Sequence, residues 1–122
     1  MNRIVQLTPC ITFGDAVSND VFAMSAVLTK MGYENIISAI GIGKNIKQKV
    51  LPFSKLVLKQ TDIVIFHMSI GSEMSEFVIK ANIAKKIMVY HNITPPEFFK
   101  GFPDAQNCCI AGRKELELLK DH

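Results

Sequence analysis

His67 and His91 each close a short apolar run, residues 62–67 and 86–91. An imidazole is the side chain whose ordinary titration lies nearest neutrality. At a strand end it can donate to a phosphate or a sugar hydroxyl, or act as acid or base. A half-buried histidine bonded to a backbone group accounts for His67 equally well. Asn92 follows His91 directly, and Ser69 and Gly71 lie in the Ser-Ile-Gly-Ser turn after His67. A third polar segment, residues 12–20, carries Gly14, Asp15, Ser18, Asn19 and Asp20. Backbone N–H groups, hydroxyls and carboxylates near a helix N-terminus suit a hydroxyl-rich or anionic ligand. Its plainer reading is a capping turn with Gly14 present for backbone freedom, and the residues alone favour that slightly. Two histidines and Asp15 would hold a metal only if they converged, a geometry the sequence does not show.

Other patterns carry less. The stretch Ile40-Gly41-Ile42-Gly43 imitates part of a dinucleotide fingerprint. It lacks the third glycine and opens no clear helix, so it counts as a chance match. Lys44, Lys47, Lys49, Lys55 and Lys59 make a basic stretch with no acidic residue between Glu34 and Asp62. A solvated connection explains them, although peripheral contact with an anionic membrane stays open. The net charge of +3 over 122 residues is too small to point to nucleic acid. Cys10, Cys108 and Cys109 are odd in number and form no CxxC pair. That argues against a secreted disulfide framework and for a reducing, cytoplasmic setting. No apolar stretch approaches the length of a membrane span.

These side chains need elements to hold them. Residues 3–8 read as a first strand. Val21, Met24, Leu28 and Met31 then recur at helical spacing, with Ser18 or Asn19 as cap and Gly32 as stop. Residues 36–40 predict a second strand. A basic connection follows, with a short helical piece on either side of Pro52. Residues 62–67 are apolar on both faces, as a buried parallel strand should be. A helix over about 73–83 has Glu73 and Glu76 in its first turn, where negative charge is favoured. A strand over 86–90, a Pro-rich loop over 94–99 and a helix over about 104–120 complete the chain. Strands alternating with helices predict one α/β domain over residues 1–122: a three-layer, Rossmann-like parallel sheet of about four strands. The expected order is 2-1-3-4, with ligands at the strand C-termini where the order reverses. The loop after the first strand, His67 and His91 then share one rim.

Three segments carry a resemblance: residues 13–20 (FGDAVSND), 62–72 (DIVIFHMSIGS) and 89–99 (VYHNITPPEFF). In order and approximate spacing they resemble the start of retaining glycosyltransferases of family 4. The resemblance implies a GT-B architecture of two Rossmann-like domains facing a cleft, of which this chain is the acceptor-side part. It implies transfer of a hexose from a nucleotide-sugar donor to a glycan or lipid-linked acceptor, without a metal. The family's donor-binding half carries two glutamates eight residues apart, a spacing no two glutamates of this chain have. The expectation is therefore a truncated domain, inactive alone, with a sheet edge open to self-association. Carried over by position, His91 faces the transferred sugar and its phosphate. Gly14, Asp15, His67, Ser69, Gly71 and Asn92 fall at acceptor or donor-sugar contacts. The alternative is a stand-alone module that binds a nucleotide or sugar, or pairs with a partner subunit.

Overall fold

A computed structural model describes residues 2–68 and 72–91 of the chain. Its elements are β1 (Ile4–Ile11), α1 (Ala16–Lys30), β2 (Asn35–Ile42), β3 (Leu51–Pro52), β4 (Ile63–Met68), α2 (Glu73–Lys80) and β5 (Lys85–Tyr90). The strands form one sheet in the order β3-β2-β1-β4-β5, and every pairing is parallel. The four expected strands are present in the expected order, as β2-β1-β4-β5. The sheet has one strand more, the two-residue β3 on its β2 edge.

β1 is central and runs almost wholly buried from Ile4 to Pro9. Successive side chains of a strand point to opposite faces, which assigns the layers. Val5, Leu7, Val64, Phe66 and Met68 pack with Met74 and Val78 of α2. Gln6 points the other way and bonds to Val21 of α1, and Ile37 and Ala39 pack with Val21 on that face. The two helices therefore cover opposite faces.

Local chemistry accounts for the element ends. Asp15, not Ser18 or Asn19, caps α1: its carboxylate accepts from the Ser18 N–H and the Ser18 hydroxyl, both at 3.0 Å. Ser18 Oγ turns back to accept from Thr12 N–H. The helix stops as expected at Gly32, whose φ is +88°. Gly32 N–H bonds to Thr29 O and Tyr33 N–H to Leu28 O, the paired bonds of a Schellman motif. Met31, expected on the buried stripe, is instead the capping residue and 64% exposed. The helical piece expected before Pro52 does not form: that segment holds a turn at 44–45 and a bend at 48, and Leu51, restricted by the following proline, is already in β3. After Pro52 a single 3-10 turn follows, Phe53–Lys55. α2 ends at Lys80 rather than near 83. Ala81 is already extended, and Ala84 N–H is tied to Asp62 O at 3.1 Å, so the chain must leave the helix to enter β5.

The Pro-rich loop and the helix expected over 104–120 lie outside the described residues. Among the described residues, no helix is long and apolar enough to cross a membrane.

Candidate functional site

All five strands run in one direction, so their C-terminal ends make one rim, and the order reverses between β1 and β4. His67 is the fifth residue of β4 and fully buried. His91 follows β5 directly and is tied to the sheet by its N–H, which donates to Met68 O at 2.9 Å. The register places His67 opposite Val89. With the period of two, His67, Val89 and His91 then face the same side, toward α1.

The two imidazoles meet there. His67 Nδ1 lies 3.0 Å from His91 Nε2. The ring centroids are 5.3 Å apart and the planes only 24° from parallel. The centroid separation far exceeds the N···N distance, so the rings touch edge to edge, along an in-plane lone pair, as a hydrogen bond requires. Behind them stands Gln6 of β1. Its Nε2 donates to Val21 O at 3.0 Å, and its Oε1 lies 2.7 Å from His67 Nε2. A carbonyl oxygen only accepts, so Val21 O fixes the amide orientation. Gln6 Oε1 is then the acceptor, and His67 Nε2 must carry a hydrogen. Burial, helped by the charge of His91 and opposed by a pull from Asp20, pushes the His67 pKa down to about 4. His67 is thus neutral at ordinary pH.

The pair opens on a groove of about 390 Å³ beside α1, lined by Asp20, Ala23, Met24 and Val27 together with His67, Val89 and His91. It is mostly apolar, with Asp20 and the imidazoles as its polar groups. Gly14 lines a different recess of about 170 Å³, with Phe13, Asn19, Phe22, Asn45 and Gln48 among its walls. Phe13 is 83% exposed there. Gly14 has φ +77°, a conformation that disfavours any side chain. Asp15 spends its carboxylate on the helix cap, in agreement with the plainer reading of its loop. Of the sequence-assigned residues, the structure joins His67 and His91, sets Gly14 in a neighbouring recess and gives Asp15 a capping role. Ser69, Gly71 and Asn92 lie outside the described residues. Among the described residues no three His, Cys, Asp or Glu side chains group as a metal site would need. The lysines from 44 to 59 are exposed.

No protein-family model, curated protein or solved structure matches this chain.

Gln6 was missed by reading the sequence for chemistry, and Asp20 was read with the loop after β1 rather than with the histidines. Gln6 gave a signal. It is a polar residue inside a run, Ile4-Val5-Gln6-Leu7, destined for a central strand buried on both faces, where a polar group needs a partner. The nearness of Asp20 to His67 gave none, because it depends on how α1 lies on the sheet.

Proposed function

We propose that this chain is the acceptor-side domain of a retaining, nucleotide-sugar-dependent glycosyltransferase of GT-B architecture, as its resemblance to family 4 suggests. The observation that supports this most is the placing of His91. It stands at the C-terminal end of β5, beside the point where the strand order reverses, with one ring nitrogen held by His67. Ligands of parallel α/β sheets bind at that end. His91 is thereby held at the rim, and among the described residues its second nitrogen has no hydrogen-bond partner, leaving it open to a ligand.

In the proposed reaction a hexose passes from a nucleotide sugar to a hydroxyl acceptor with retention. Negative charge grows on the departing diphosphate, and His91 stabilises it by a hydrogen bond that strengthens in the transition state. The second domain of a GT-B enzyme supplies the remaining donor contacts. The recess beside Gly14 is the acceptor side. Its walls include Asn19, Asn45 and Gln48, amides that can both donate to and accept from sugar hydroxyls.

The test is transfer from a nucleotide sugar by the native protein and by its His91→Ala variant. The variant should fold normally and lose about 10²–10³ in kcat, the usual cost of one donor to a developing oxyanion. Near-normal turnover by that variant would remove His91 from the role. Absence of transfer from any nucleotide sugar by the complete two-domain enzyme would remove the reading.

A further inference from the structure

We infer that Gln6 and His67 are positioning residues that fix the tautomer of His91, so that its Nε2 always carries a hydrogen and Nδ1 is the nitrogen offered to a ligand. The chain of reasoning starts at a backbone carbonyl. Val21 O accepts from Gln6 Nε2, at 3.0 Å, which leaves Gln6 Oε1 facing His67 Nε2 at 2.7 Å. His67 Nε2 therefore donates. A neutral imidazole has one N–H and one bare nitrogen, and buried His67 is neutral, so its Nδ1 is bare. His91 Nε2 lies 3.0 Å from that bare nitrogen, and only as N–H can it make a favourable contact. Reversing any one member would set two donors or two acceptors face to face in a buried place. The polarity of α1 is thus relayed across the sheet, through one amide and one imidazole, to the rim.

This has a consequence that rests on the glycosyltransferase reading. With Nε2–H committed to His67, a neutral His91 presents only an acceptor to its ligand. To donate to a departing phosphate, Nδ1 must be protonated, and His91 must then be the imidazolium. The groups facing the pair in the groove are Asp20 from α1 and the two histidines themselves, among the described residues. Asp20 is the one carboxylate of that set.

The experiment reads ring hydrogens directly, on the whole chain and with no sugar present. A failure of the glycosyltransferase reading therefore leaves its result untouched. Long-range ¹H–¹⁵N correlation spectra of histidine-labelled protein are recorded at alkaline pH. Neutral His91 should show a protonated Nε2 and a bare Nδ1, in excess over the other tautomer by about tenfold or more, the factor set by one buried hydrogen bond. Neutral His91 with its hydrogen mainly on Nδ1 would overturn the inference. Gln6→Leu removes the acceptor behind His67 and should release the His91 tautomer to a mixture. Gln6→Glu, protonated in that buried place, keeps both a donor for Val21 O and an acceptor for His67, and should restore the wild-type pattern. A wild-type pattern in Gln6→Leu would remove Gln6 from the relay. If Gln6→Leu does not fold, the wild-type and Gln6→Glu spectra decide, and a released tautomer in Gln6→Glu would overturn the relay.

Discussion

Asp62 is fully buried, yet it is charged and held by three donors. Arg3 gives it Nε at 3.1 Å and Nη2 at 2.6 Å, and the Lys59 N–H reaches it at 2.7 Å. Burial alone would raise its pKa. The hydrogen bonds from Arg3 and the Lys59 N–H, with the positive charges of both residues, outweigh burial and hold it below the usual carboxylate value. The cluster sits at the N-terminal ends of β1 and β4, the sheet end away from the histidines. Arg3→Ala would leave a buried carboxylate without its counter-charge. It should cost about 3 kcal/mol, seen as a lower urea midpoint with an unchanged slope. The His91 tautomer should not change in that variant, since nothing links the two ends except the sheet.

At the scale of the element, α1 depends on its two ends, because only Ser18 and Val21 of it are buried. Asp15→Ala removes the cap and should destabilise by about 1 kcal/mol, whereas Asp15→Asn keeps an acceptor and should be close to neutral. Thermal melts of the two variants separate capping from any ligand role. Should Asp15→Asn melt normally and still impair transfer, Asp15 would do more than cap. At the other end Gly32→Ala forces a side chain into a left-handed position, and about 1 kcal/mol should be lost there too. α2 is anchored differently, through Met74 and Val78 in the core and Lys86 Nζ on Ile79 O at 2.9 Å, a cation at a helix C-terminus where the dipole favours it.

The whole molecule responds to pH through His67. Unfolded, it takes a proton at its ordinary 6.5; folded, only at about 4. The folded state therefore binds fewer protons between those values. Stability is full above 6.5 and falls as pH drops toward 4, by about 3 kcal/mol from this residue. Asp62, shifted below 3.8, carries the loss to still lower pH. Urea midpoints measured across that interval should decline in the wild type. In His67→Gln, which cannot ionise, the decline between 6.5 and 4 should be largely absent. A wild-type midpoint constant across the interval would contradict a buried neutral His67.

Much of the architecture is legible in the sequence because its signals are local. The apolar runs, the helical spacing of Val21, Met24 and Leu28, and the glycine at 32 each depend on residues within a few positions of one another. The handedness of crossovers restricted the strand order, and the expected order of the four strands is the one found. Three local readings failed where a neighbouring residue competed. Asp15 took the cap from Ser18, Pro52 held Leu51 in a strand, and the pull of Ala84 on the sheet shortened α2. The site is another matter. His67 and His91 could be placed on one rim, but not in contact, and Gln6 not at all as their partner. Residues 6, 67 and 91 meet only because β1, β4 and β5 pair in one register and α1 lies where Val21 O can orient an amide. Spacing along the chain encodes which face a residue takes within its own strand. Which residue it then touches is decided by packing between strands and helices far apart in sequence.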